Sequence, residues 1–236
     1  MKILPSITTT RFSPLYFDWR EKIIKAKELG LKEFCFFPTC LDKNERKEAY
    51  ELFKKIRIKN IPLVHLREED MDFKEIEYLI NNFNAKAFNI HSQSEHPLHP
   101  FIHDYSKSKR KEIIFIENTR KPLDEKEIKK LGGICLDFAH LENDRLLENE
   151  KFNHNIKVIE KCHIGCNHVS AIYKTTHLDD QGKTRHDRHF LENFSELDYL
   201  KKYPISYFSD FMALELENNL EEQLEMIDYI NNLLKK

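Results

Sequence analysis

Short apolar runs alternate with amphipathic stretches along the whole chain. The runs at 2–7, 33–37, 62–66, 87–91, 112–117, 134–138, 167–172 and 212–217 read as strands. Between them, apolar residues recur at helical spacing. One such stripe carries Ile23, Ile24 and Leu29, and a second Ala49, Leu52, Phe53 and Ile56. A third carries Ile76, Leu79 and Ile80, and the last Leu224, Ile227, Ile230 and Leu234. Eight strand–helix repeats predict one (β/α)8 barrel, an α/β fold spanning residues 1–236 as a single domain. An open doubly wound sheet is the alternative, but it would not easily bring distant strand ends to one point.

Polar residues interrupt this pattern at one recurring place, the ends of the strands. In order they are His65, His91, Glu117, Asp137 with His140, His168, Asp187 with His189, and Glu215. These residue types bind first-row divalent metals. In a parallel barrel they would meet at one rim. Each also has a plainer reading. Glu117 could cap or pair at a strand end, and Asp137 could cap the following helix. A single strand-end histidine is usually a satisfied rim residue, and it is the ordered set that points to a metal. Glu215 and Glu217 share one strand face, with Glu215 the deeper.

Composition narrows the function classes. The net charge is −2 over 236 residues and the pI is near 6.6, so no broad attraction to nucleic acid or anionic membrane is expected. The five cysteines are odd in number and mostly lie in apolar runs, which predicts reduced, buried thiols. No leader-like or membrane-length apolar run appears, so a cytoplasmic location is expected. Trp19, at a helix start, reads as packing. His96, His99 and His103 read as loop histidines. There is no phosphate-binding glycine loop and no nucleophile elbow.

Several motifs together resemble the xylose isomerase-like TIM-barrel superfamily, which includes sugar isomerases, epimerases and the endonuclease IV nucleases. Glu117-Asn118-Thr119 looks like its fifth-strand glutamate, and Asp137-Phe138-Ala139-His140 like its sixth-strand Asp-x-x-His. His168, Asp187-Arg188-His189 and Glu215 match the later ligands, and His65 and His91 the two early histidines of endonuclease IV. Ala171 stands where the family often has an aspartate, and no glycines follow His189.

The resemblance implies a divalent-metal centre of one to three ions (Zn, Mn, Co or Fe) on Glu117, Asp137, His168 and Glu215. His65, His91, His140, Asp187 and His189 would add ions or touch substrate. The first functional expectation is a sugar or sugar-phosphate isomerase or epimerase, with Glu117 and Glu215 as the acid/base pair. The alternative is an endonuclease IV-like zinc hydrolase acting at abasic sites in DNA. A barrel that binds without turnover is the third class. Lys174, Lys183, Arg185 and Arg188 are the candidate anion-holding residues. The acidic loop Glu68-Glu69-Asp70 argues for a small sugar or sugar phosphate over DNA.

Overall fold

The structure is a computed structural model that describes residues 1–9, 18–95, 109–179 and 181–235. The loop histidines His96, His99 and His103 lie outside the described residues. In chain order the barrel begins with β1 (Lys2–Leu4), β2 (Ser6–Thr8), α1 (Trp19–Glu28), β3 (Cys35–Phe37) and α2 (Lys43–Lys55). It continues with β4 (Leu63–His65), α3 (Phe73–Phe83), β5 (Ala87–Ile90), β6 (Ile114–Glu117) and the short α4 (Glu125–Ile128). Then come β7 (Gly133–Asp137), α5 (Phe138–Leu146), α6 (Glu150–Ile159) and β8 (Ile164–Val169). A hairpin of β9 (Ala171–Leu178) and β10 (Thr184–Arg188), then β11 (Phe211–Leu214) and α7 (Leu220–Leu233), complete the chain.

Every pairing in the main sheet is parallel. The first predicted strand is cut in two by Pro5, which has no N–H for the ladder. Its first half pairs with β11 and its second half with β3. The two halves therefore join the ends of the nine-stranded order and close a ring of eight strand positions.

Strand alternation sorts the core into two clusters. Ile3, Phe36, Val64, Phe88, Ile114, Ile116, Ile134, Leu136 and Met212 point outward and pack under the helices. Leu4, Cys35, Phe37, Leu63, Ala87, Phe115, Cys135, Cys166 and Ala213 fill the barrel's interior. The Phe115 ring plugs that interior, and a Cβ at Gly165 would lie only 1.9 Å from it. One step further along the same inward columns stand His65, Asn89, Glu117, Asp137, His168 and Glu215.

The helices start where sequence chemistry places them. Asp42 with Glu45, and Asn219 with Glu222, form capping boxes at α2 and α7. Trp19 is 1% exposed at the start of α1, so its packing role holds. All five cysteines are unpaired thiols, with Cys35, Cys135 and Cys166 buried. After the seventh strand position, 171–188 forms the antiparallel β9–β10 hairpin.

Candidate metal centre

Glu117 stands in the middle of the rim. Its Oε2 lies 3.4 Å from His65 Nε2 and 3.4 Å from His168 Nδ1. It also accepts a 2.6 Å hydrogen bond from Asn89 Nδ2. His168 Nδ1 is 3.0 Å from Glu215 Oε2. Asp137 comes from the end of β7, beside His168 in register. Its backbone is clamped by Asn118, whose Nδ2 donates to Asp137 O while Asn118 Oδ1 accepts the Asp137 N–H.

Asp137 has one oxygen available to each reading that its sequence allowed. Oδ1 accepts the His140 N–H at 2.7 Å and caps α5. Oδ2 is buried and makes no hydrogen bond among the described residues. The same holds for Glu215 Oε2 and for both ring nitrogens of His168. Buried polar atoms are normally hydrogen-bonded. Here carboxylate oxygens and an imidazole converge with hydrogen-bonding capacity unmet, an arrangement that a cation would suit.

Two ligand groups result. Glu117, Asp137, His168 and Glu215 offer ligand atoms within 4.8 Å of one another. So do His65, His91 and Glu117. Glu117 belongs to both. A further group replaces Asp137 and Glu215 with Cys135, a thiol beneath Glu117 in register that the strand-end pattern did not mark. Mixed carboxylate and imidazole donors suit zinc, manganese, cobalt or iron.

The histidines are oriented for this task. His65 Nδ1 contacts Leu66 O at 2.9 Å; donating there leaves Nε2 toward Glu117. His91 Nδ1 lies 3.0 Å from Glu68 Oε1, and that oxygen also accepts the His91 backbone N–H at 2.7 Å.

Burial and charge compete at every group. Burial opposes charge on His168, but Glu117 and Glu215 outweigh it and hold the imidazole well above its ordinary value. Burial likewise opposes ionisation of Glu117, and His168 with His65 holds it well below the usual range. Glu215, against its own burial, is drawn down to about 2 by His189 and His168. Asp137 moves the other way, raised chiefly by burial. The facing carboxylates favour the protonated form of His91, His168 and His189.

The hairpin residues form the outer wall. Asp187 is gripped by Arg185, from Nε at 2.7 Å and Nη2 at 2.5 Å, and Arg185 Nη2 also contacts His140 Nδ1 at 2.8 Å. Asp187 Oδ2 is 3.3 Å from His140 Nδ1, and the His140 and His189 rings lie 6.4 Å apart. His140 Nε2 is 3.8 Å from both Glu117 Oε1 and Asp137 Oδ2. His140, Asp187 and His189 thus border the centre without joining either ligand group.

A cavity of about 510 Å³ opens beside this wall, lined among others by Arg120, His140, Asp187, Arg188, His189 and Glu217. Of the four expected anion-holding residues, only Arg185 and Arg188 line it. Arg185 is committed to Asp187. Arg188 sits 4.6 Å over the Tyr173 ring and donates to His177. Lys174 lines a different depression beside Tyr199 and Lys202, and Lys183 is exposed near the hairpin turn. Arg120, absent from the sequence expectation, takes their place in the lining.

The acidic loop also differs from its sequence reading. Glu68 turns inward to His91, Glu69 pairs with Arg67, and Asp70 with Arg46. Each of the three acids thus stands beside a basic side chain, with Glu69 exposed. Among the described residues, no helix is long and apolar enough to cross a membrane.

No protein-family model matches the chain, and no curated protein matches it in sequence. Among solved structures, the probable 3-DHS dehydratase AsbF of Bacillus anthracis is similar over 100% of both chains, at 13% identity and a TM-score of 0.48. A xylose isomerase-like TIM barrel protein from Mycobacterium smegmatis, in complex with magnesium, is similar over 92% of this chain and 89% of its own. There the identity is 10% and the TM-score 0.48. The assignment of this chain as a (β/α)8 barrel with a polar rim stands on its own strand register and contacts.

Proposed function

We propose that this protein is a metal-dependent phosphoester hydrolase built on two divalent ions that share Glu117. The observation that carries the reading is the pair of ligand groups meeting at that one carboxylate. A two-ion centre supplies an activated water and neutralises the charge that develops on the leaving oxygen.

The protein's own residues prepare that centre. Asn89 fixes one Glu117 oxygen, Asn118 fixes the backbone of Asp137, and Leu66 O fixes the His65 ring. Arg185 holds Asp187 beside His140 at the wall. Arg120 and Arg188 line the cavity where the rest of a phosphorylated substrate would lie. With Glu68, Glu69 and Asp70 each beside a basic side chain, an abasic-site duplex is an appropriate phosphodiester to test.

A second reading, the sugar or sugar-phosphate isomerase or epimerase, is favoured by the small-molecule size of the cavity and by the four-ligand group taken alone. It is weakened by the approach of Glu117 and Glu215, 3.4 and 3.0 Å from the same His168 nitrogen. Two bases working on opposite faces of a carbon each need about 3–3.5 Å to it. Carboxylates converging on one imidazole are better placed to ligate than to flank a substrate.

The test is metal content and turnover together. Protein loaded with zinc or manganese is assayed on an abasic-site duplex, a simple phosphodiester and a panel of ketose phosphates. Two ions per chain with phosphoester cleavage, lost in Glu117→Gln, is the expected result. One ion per chain with ketose interconversion would replace this reading with the second.

A further inference from the structure

We propose that the Arg185 guanidinium is a built-in cation standing in the place of a third ion, so that the rim takes two divalent ions and no more. The inference rests on the two-ion reading above and sets its upper limit.

His140, Asp187 and His189 were candidates for a further ion by residue type and spacing. The structure puts an arginine among them. Arg185 and Asp187 lie two apart on β10, where residues share a face, and the β9–β10 register shifts between them. The Arg185 side chain turns back onto Asp187 and is buried with it, at 9% and 7% exposure. Arg188, on the other side of Asp187, leans away over the Tyr173 ring and toward His177.

The position that Arg185 takes has the dimensions of an ion site. Two ligands of one zinc ion, each at about 2.0–2.2 Å, stand roughly 3.3 Å apart in tetrahedral geometry. Asp187 Oδ2 and His140 Nδ1 are 3.3 Å apart. The atom that contacts both is Arg185 Nη2, 2.5 Å from the oxygen and 2.8 Å from the nitrogen. Arg185 Nε donates to the other carboxylate oxygen at 2.7 Å. Guanidinium nitrogens only donate, so the lone pairs that would bind an ion here point at N–H groups instead. Among the described residues, none of the ligand groups at the rim includes His140, Asp187 or His189.

Charge makes this occupancy hard to reverse. A guanidinium does not lose its charge in a protein. An ion entering beside Asp187 would displace Arg185 and leave a buried cation without its partner, next to a second cation. The groups around Glu117 consist of acids, histidines and a thiol alone, with no such competitor.

The test counts zinc ions per chain by native mass spectrometry at matched free zinc, in wild type, Asp187→Asn, Arg185→Ala and the double variant. Counts are compared as differences, because an ion held elsewhere on the protein adds equally to all four. Wild type and Asp187→Asn should bind the same number, two at the rim. Arg185→Ala should gain one ion, and adding Asp187→Asn to it should remove that ion again. A variant that merely loosens the wall acquires no ion, so the gain separates this role from a structural one.

Loss of an ion in Asp187→Asn would show that Asp187 ligates metal in the native protein, and it overturns the proposal. So does a folded Arg185→Ala with the wild-type count, or a gained ion that survives in the double variant. In each of those cases wild type still binds at least two ions, and the two-ion reading stands. Should Arg185→Ala not fold, the Asp187→Asn comparison decides alone: an equal count upholds the proposal and a lower one overturns it. Wild type that takes up fewer than two ions sinks the two-ion reading itself, and this limit with it.

Discussion

Two clusters of charge are buried in this barrel, and they are satisfied in opposite ways. Between α2 and α3, Arg46 is fully buried and spends its guanidinium on four hydrogen bonds, two to Glu75, one to Asp70 and one to Leu41 O. Tyr50 adds a fifth bond to Glu75. At the rim, Asp137, His168 and Glu215 carry buried atoms that no hydrogen bond reaches among the described residues. The first cluster is complete and holds helices together. The second leaves capacity unmet on ligand-type atoms that lie within 4.8 Å of one another. Burial of charge therefore does not identify a site by itself; unmet capacity on clustered ligand atoms is the sharper sign.

Breaking the shared ligand should give the largest effect. Glu117→Gln removes the carboxylate common to both groups, so metal content should fall and activity should drop by roughly a thousandfold or more, equivalent to about 4 kcal/mol. Full ion occupancy in that variant would erase the distinction between the clusters.

Arg46→Met should do the reverse. It leaves Glu75 buried without its cation, at a cost of about 3–5 kcal/mol in unfolding free energy. Ion binding per folded molecule should be unchanged. Denaturant unfolding and metal analysis on the same sample would show it, and loss of metal without loss of stability would count against the comparison.

Supplying the cation should stabilise only the rim. Free zinc at a hundred times its dissociation constant adds about 2.7 kcal/mol. Thermal unfolding with zinc and with chelator should differ accordingly in wild type and Arg46→Met, but not in Glu117→Gln.

The smallest effect concerns acid. Asp187 is held down to about 2, where Arg185 and His140 overcome the effect of burial. A depressed carboxyl contributes stability above its ordinary pKa of about 3.9 and loses it as pH falls through the folded value. Nearly two units correspond to about 2.5 kcal/mol in full, of which about 2 kcal/mol is lost by pH ~2. In Asp187→Asn, the fall in unfolding free energy between pH ~5 and pH ~2 should shrink by that amount. An equal fall in both proteins would show that the Arg185 pair contributes nothing.

Much of the fold is legible in the pattern of apolar residues because parallel strands buried on both faces read as short apolar runs. What escaped the pattern has identifiable causes. Helix α5 buries Glu142, Asn143 and Asp144 along with Phe138 and Leu141, so it shows no polar face to mark its period. The hairpin strands alternate charged and polar residues with few apolar ones, which resembles a loop.

At the site, the ligand types at strand ends were visible, since metals demand those side chains. Glu68 and Asn89 were not, because their roles depend on which neighbour the register brings. Asn89 did carry one signal: it lies two residues before His91, with the parity that points inward. Lys174 and Lys183 stand apart from the cavity for the same reason that the hairpin was not read in the sequence. Once 171–188 pairs with itself, those two lysines no longer converge on the cavity with Arg188.

The division of the first strand at Pro5 has a consequence for how the chain reaches this state. Ser6 Oγ donates to Leu214 O, Ser6 N donates to Gln223 Oε1 at 2.7 Å, and Thr8 Oγ1 donates to Leu216 O at 3.1 Å. These bonds span more than 200 positions in sequence, as their separations of 208 and 217 show. Such distant pairings carry the greatest loop-closure cost and form late. During synthesis residues 2–8 are made more than 200 positions ahead of the residues that complete their pairing. Until then one side of the sheet is unpaired, and Glu215 is missing from the rim. Closing the ring and adding Glu215 to the rim therefore need the same segment around β11, so an ion bound by the four ligands together would also hold the ring closed.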